Sequence, residues 1–245
     1  MLFNLEELVQ PRNDLESFSR SFSTLDIDEV IKHMPPDKAQ GLDGFNGLFM
    51  KKCWNIIKED IYTLCFDFFN GNLSLEAINN SFITLIPKVH NSKSVNDFRP
   101  ISLLSGVIKI ITKLLANRLQ EKIIPLIHTN QYGFIKSRTI QDCLAWAYEY
   151  IYQCQHSKKE LIILKLDFTK AFDTIEHNTI LLMMRSLGFP EIWINWIERI
   201  LISGSSSILL NGVTGNHSIV AEGLGKVTPC HHFFLCLLQT FYSAL

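Results

Sequence analysis

What this chain lacks narrows the field before any motif is weighed. Its six cysteines (Cys53, Cys65, Cys143, Cys154, Cys230, Cys236) form no Cys-x-x-Cys pair, so a zinc site of the usual spacing is not expected. No apolar run approaches the ~18 residues needed to span a bilayer, which excludes a membrane helix. The first ten residues hold Glu6 and Glu7 and no basic group, unlike a secretory leader. Scattered cysteines without an export signal point to a reducing compartment inside the cell, nucleus or cytoplasm. Charge of one sign is also missing overall: the formal net charge is -1.

That near-neutrality hides an uneven distribution. Between Leu85 and Arg138 nine basic residues (Lys88, Lys93, Arg99, Lys109, Lys113, Arg118, Lys122, Lys136, Arg138) face two acidic ones, Asp97 and Glu121. A surplus of this size inside a balanced chain reads as a surface for a polyanion. The alternative for any single Lys is a solvated helix face.

With 47% hydrophobic and 19% charged residues, 245 residues suffice for one large domain or two small ones. Residues 25–31 read as a helix that stops at Met34-Pro35-Pro36, followed by a glycine-containing loop at 37–45. Apolar spacing (Phe49, Cys53, Ile56, Ile57, Ile61, Leu64, Phe68) predicts one helix over 47–70, with Gly71 beyond its end. Residues 82–86 form a strand ended by Pro87. Arg99 precedes Pro100 and is therefore extended, which places 98–103 in a second strand. Helices follow over 108–127 and 139–153. Leu161 to Asp167 reads as a buried strand, a short run rich in Ile and Leu. Two more helices are expected: 178–187, capped by Asn178 and stopped by Gly188, and 190–202, with Pro190 in its first turn. Asn211-Gly212 after an apolar run signals a hairpin with a primed turn. The fold class is α+β, long helices packed on a small sheet.

Asp167 is the residue with the clearest chemical promise. Polymerases transfer nucleotides with two metal ions about 3.5–4 Å apart. Hard cations such as Mg²⁺ take carboxylate oxygens, and a strand end holds a carboxylate more rigidly than a loop tip. The residue type alone also fits an Asp that merely ends a strand.

Seven separated segments, in order, resemble the reverse transcriptase domain of non-LTR (LINE-type) retrotransposons. They are Lys38-Ala39-Gln40-Gly41-Leu42-Asp43-Gly44-Phe45, Leu85-Ile86-Pro87-Lys88, Asp97-Phe98-Arg99-Pro100-Ile101-Ser102-Leu103, and Leu115-Ala116-Asn117-Arg118-Leu119. Then come Gln131-Tyr132-Gly133-Phe134-Ile135-Lys136-Ser137-Arg138, Lys165 to Asp173, and Ser207-Ile208-Leu209-Leu210-Asn211-Gly212. The opening Lys-Ala segment and Lys170-Ala171-Phe172-Asp173 favour this family over group II intron maturases. The resemblance implies the fingers and partial palm of a right-hand polymerase, with long helices on a small antiparallel sheet. Its units would be a helical lead-in at 1–36, fingers at 37–158, a partial palm at 159–224 and a tail at 225–245.

The resemblance also implies roles. Asp167 would bind the catalytic Mg²⁺, with the backbone carbonyl of Phe168 completing the site. Phe172 would lie under the sugar of the incoming dNTP and exclude a 2′-hydroxyl. Arg99 would clamp the triphosphate, with Lys88 in support. Gln131, Lys136 and Arg138 would contact the template. The partners implied are an RNA template, a DNA primer and dNTP. Asp173 lies six residues beyond Asp167 and is read as structural.

After Glu222-Gly223-Leu224 the family pattern stops. The family continues with Arg-Gln-Gly-Asp-Pro-Leu-Ser-Pro, and later with an Asp-Asp hairpin that supplies further metal ligands. This chain has no Asp-Asp pair and no Asp after Asp173. In the neighbouring frame, codons for residues 225–232 can encode Gln-Gly-Asp-Pro-Leu-Ser-Pro. The expectation is a one-base frameshift near Leu224, with His231, His232, Cys230 and Cys236 outside any site. Function is then expected to be that of a polymerase fragment inactive on its own. The alternatives are a non-enzymatic nucleic-acid-binding remnant or an unstable pseudogene product. Sequencing the coding DNA checks the frameshift: codons that cannot restore Gln-Gly-Asp-Pro-Leu-Ser-Pro in another frame would refute it.

Overall fold

The apolar residues of the helix that follows the second strand occupy more than one stripe, so this element must be covered on several sides. The computed structural model describes residues 14–122, 124–127, 129–133, 135, 137–163 and 176–219. Among them, helices α1 (Thr24–His33), α2 (Gly47–Lys52) and α3 (Trp54–Phe69) precede strands β1 (Asn80–Pro87) and β2 (Phe98–Leu104). Helices α4 (Gly106–Lys122), α5 (Ile140–His156), α6 (His177–Leu187) and α7 (Glu191–Ile202) follow, then strands β3 (Ser205–Leu210) and β4 (Val213–Ile219).

The central helix is α4. Ile108, Ile111, Leu115 and Leu119 are fully buried, as are Ile110 and Thr112. It packs against α1 and shares one continuous core with α3, α6 and α7. Helix α7 is amphipathic in the ordinary sense: Trp193, Ile194, Trp196, Ile197, Ile200 and Leu201 are buried at i, i+3, i+4 and i+7 spacing. Ahead of α1, a segment containing a short 3₁₀ turn (Glu16–Ser19) lies across these helices. Its Phe18 meets Trp193 edge to face at 4.7 Å. Its Phe22 stacks on Phe69 at 4.3 Å. Arg118, from the far end of α4, lies 3.4 Å over the Phe22 ring and donates to the carbonyls of Phe18, Arg20 and Ser21.

The sheet has the order β2-β1-β3-β4 and is mixed, where an antiparallel sheet was expected. β1 pairs antiparallel with β2, Ser81 opposite Leu104, and β3 with β4. β1 and β3 run parallel, Asn80 opposite Ser205. Helices occupy the long connection between those two strands, and such a crossover permits parallel entry. The buried Asn79 fixes this seam by donating to the Ile200 carbonyl and the Ser203 hydroxyl, each at 2.8 Å.

Several expectations shift by local chemistry. The helix expected over 47–70 breaks at Cys53, which closes α2 and opens α3. The change of axis turns Ile56 outward, to 81% exposure. Asn178 is not the cap of α6; it is the second helical residue, after Glu176 at the N-cap position. Pro190 sits at the N-cap of α7, one residue before its first turn. Leu161 to Ile163 belong to no strand, and Ile162 is 94% exposed because no described ladder covers it. The rest of that expected strand lies outside the described residues. Gly188 does stop α6, at φ 86°, and Asn211 and Gly212 take the two positive φ values (51° and 80°) of a primed turn.

Arg118 makes a direct stability test. Arg118→Ala removes a charged donor from three carbonyls and is expected to cost about 2–3 kcal/mol. Urea unfolding should show a lower midpoint at an unchanged m value. Arg118→Lys, without the planar fork, should recover only part, and an unchanged midpoint for the Ala variant would refute the assignment.

Candidate functional site

Of the residues singled out from sequence, Arg99, Lys88, Gln131 and Arg138 fall among the described residues. Asp167, Phe168, Phe172 and Lys136 lie outside them, as do Asp173 and the residues from 225 onward. Among the described residues no cluster of three His, Cys, Asp or Glu could hold a metal ion.

Arg99 stands near the start of β2, opposite Ile86, with its side chain exposed. No hydrogen bond or ion pair occupies it among the described residues. Alternation along the strand puts Arg99, Ile101 and Leu103 on one face, each about 7 Å from the next. Ile101 and Leu103 border a hollow of about 330 Å³ beneath α1 and α4, which Met50 and Phe45 also line. Its other border carries Lys38, Lys109 and Lys113.

Lys88 is less free. Its Nζ donates to the Asn96 carbonyl at 2.7 Å, and its backbone N–H to the Asp97 carbonyl at 2.8 Å. Both bonds close the 88–97 loop that joins β1 to β2. Asp97 completes that loop by accepting from the N–H groups of Ser94 (2.9 Å) and Lys93 (3.0 Å). Those backbone bonds, from Ser94 and then Lys93, hold its carboxyl below the ordinary carboxylate range, with Lys88 adding a smaller pull.

Two members of the basic surplus are absorbed by the fold. Arg118 anchors the segment ahead of α1, and burial lowers its pKa to about 10. Lys109 is half-buried, its pKa lowered by desolvation, and its Nζ donates to the Ala39 carbonyl at 2.9 Å. Asp43 accepts from the N–H of Gly106, the first residue of α4, where a carboxylate meets the positive helix end. Gly41 lies against the Leu104 carbonyl so closely that a Cβ there would overlap it. The Lys38–Phe45 segment is therefore a cap for α4, a role that motif spacing did not reveal. Lys109 stood out in the sequence only as one of the basic residues, and nothing there paired residues 39 and 43 with the start of α4.

Arg138 ties together the described residues of the 131–138 segment. Arg138 donates through Nη1 to the Gln131 carbonyl at 2.6 Å, and its N–H to the Ile135 carbonyl at 3.0 Å. Thr139 then caps α5 with a reciprocal pair to Asp142. Across from this loop runs one face of α4, and the two enclose a cleft of about 1040 Å³. The cleft and the smaller hollow share Val30, His33 and Lys113, so they are contiguous. Arg138 and Lys113 thus line the same cleft, with Gln131 tied to Arg138 through its carbonyl, and Arg99 lies on the strand whose Ile101 and Leu103 border the adjoining hollow. No described helix is long and apolar enough to cross a membrane.

Comparison with known proteins gives this geometry a context. The family model described as reverse transcriptase (RNA-dependent DNA polymerase) matches residues 86–225. The chain is 26% identical over 226 residues to the Transposon TX1 uncharacterized 149 kDa protein of Xenopus laevis, covering 88% of this chain and 17% of that protein. It is 28% identical over 160 residues to the Retrovirus-related Pol polyprotein from type-2 retrotransposable element R2DM of Drosophila melanogaster, covering 65% and 15%. With the Putative 115 kDa protein in type-1 retrotransposable element R1DM of the same fly the figures are 24% over 220 residues, 86% and 21%. The chain therefore spans less than a quarter of the length of these relatives.

Asp97 generates a pH prediction. Its folded pKa is depressed, so its contribution is present above the unfolded value of about 3.9 and is lost as pH falls through the lower folded value. Protection of the Lys93 and Ser94 amides, taken relative to their intrinsic exchange at each pH, is expected to fall over that acidic window. Asp97→Ala, which removes the acceptor, should show that loss of protection already at neutral pH; equal protection in both proteins would count against the loop assignment.

Proposed function

Because the chain belongs to the reverse transcriptase (RNA-dependent DNA polymerase) family, with proteins of LINE-type retrotransposable elements among its relatives, we propose that it forms the fingers and first part of the palm of an RNA-directed DNA polymerase. Residues 1–36 are the lead-in, 37–158 the fingers, 159–224 the partial palm, and 225–245 a tail outside the family pattern. What carries this reading is the family match over residues 86–225, which ends next to Leu224.

Roles follow from the chemistry of each side chain. Arg99 offers a planar, exposed guanidinium to the oxygens of a triphosphate, which it can grip with two parallel bonds. Lys88 supports it electrostatically while its ammonium braces the 88–97 loop. Phe172 bears on the deoxyribose and leaves no room for a 2′-hydroxyl. Gln131, Lys136 and Arg138 meet the template backbone. Asp167 and the Phe168 carbonyl hold Mg²⁺. When bound, that ion supplies positive charge for the triphosphate oxygens and orients them.

These 245 residues contain no Asp-Asp pair, so we propose that they do not polymerise on their own. Binding without catalysis is the second reading; the basic surplus of 85–138 favours it, reduced by Lys109 and Arg118, which the fold absorbs.

Purified protein given a primed RNA template, Mg²⁺ and dNTPs is expected to show no extension above background. Extension that Asp167→Ala abolishes would overturn the proposed inactivity. Affinity for single-stranded RNA should fall steeply between 50 and 200 mM salt, as phosphate neutralisation requires. Salt-independent binding would argue against a polyanion surface.

A further inference from the structure

Helix α4 presents Lys113, Asn117 and Gln120 at i, i+4 and i+7, a polar stripe on a helix whose apolar residues are mostly buried. All three line the 1040 Å³ cleft opposite the 131–138 loop. Asn117 and Gln120 are half-buried, and their amides make no hydrogen bond among the described residues. Immediately next to Asn117, Arg118 turns the opposite way and is consumed by the Phe18, Arg20 and Ser21 carbonyls. Two neighbours in one motif thus face a core contact and an open cleft.

The charge of the cleft is modest. Lys113 and Arg138 are balanced by Glu29 and Glu121, and Glu29 is itself directed at Lys32 and His33 of its own helix, at 3.7 and 3.2 Å. Phosphate attraction alone therefore explains little about this wall. An amide both donates and accepts, and so does a ribose 2′-hydroxyl. That hydroxyl is the group by which a protein distinguishes RNA from DNA. Across the cleft, Tyr132 is half-exposed and supplies an aromatic face on which a base can stack.

Resting on the polymerase-fragment reading, we propose that Asn117 and Gln120 are specificity-determining residues that read the 2′-hydroxyls of a single-stranded RNA held in this cleft, with Lys113 as a phosphate contact. The preference for an RNA over a DNA strand then lies on α4 and not in the basic loop facing it.

The test is fluorescence anisotropy with end-labelled single-stranded RNA, its 2′-O-methyl form, and DNA of the same base sequence, at several salt concentrations. The wild-type protein is expected to bind RNA more tightly than either analogue. Asn117→Ala and Gln120→Ala should each weaken RNA binding about fivefold, the worth of one ordinary hydrogen bond, and leave DNA within about twofold. Lys113→Ala should weaken RNA and DNA alike and lower the salt slope by about one. Urea midpoints matched to wild type establish that the variants fold. Equal wild-type affinity for RNA and its 2′-O-methyl form overturns the inference without recourse to any variant. RNA binding with an unchanged RNA-to-DNA ratio in the double variant overturns it too, while the polymerase-fragment reading survives. Binding of none of the three strands overturns both.

Discussion

Helix α4 cannot be left uncovered, and the fold follows from that constraint. Its buried residues occupy most of its circumference, so α1, the other core helices and the segment ahead of α1 must all come to it. Its first turn has N–H groups without helical partners, and Asp43 meets one of them at Gly106. Its last turns carry Arg118, a charge that can be taken from water only when its donors are satisfied. Three backbone carbonyls and the Phe22 ring do that. The same contacts seat Phe18 and Phe22 against Trp193 and Trp196. The core is thus closed by residues far outside the 86–225 stretch that matches the family model.

This requirement divides the basic residues into two populations. Lys109 and Arg118 are structural, each donating to a backbone carbonyl from a half-buried position. Lys88 is intermediate, since its ammonium ties down a loop yet stays exposed. Arg99 and Lys113 are exposed and free among the described residues. A charge count along the chain treats all of these alike. The polar surface available to a ligand is smaller than that count suggests, and it is richer in amides. That shift, from charge toward hydrogen-bonding groups of both polarities, is what directs attention from mere anion binding to recognition of a hydroxylated strand.

Much of the secondary structure was legible because it rests on local rules. The two strands around Pro87 and Pro100, the primed turn at Asn211-Gly212 and the stop at Gly188 each depend on one residue's backbone preference. Pro190 marked the start of α7, and apolar spacing found α4. It failed at Cys53, where an unbroken apolar pattern crosses a change of helix axis. Nor did any local signal reveal the parallel pairing of β1 with β3, which joins residues 80–83 to 205–208. The candidate site was legible mainly as ordered motif segments, with Asp167, Phe168, Phe172 and Lys136 outside the described residues.

The sequence by itself determined the family, the residue types suited to nucleotide and template, and the absence of an Asp-Asp pair. These depend on identity and order alone. Only the tertiary structure decided that Lys38–Phe45 caps a helix, that Arg118 faces a core contact while Asn117 faces a cleft, and that Arg99 is exposed on β2. Which side of a helix a residue occupies follows from spacing, but what that side meets depends on burial and on carbonyls brought from distant parts of the chain.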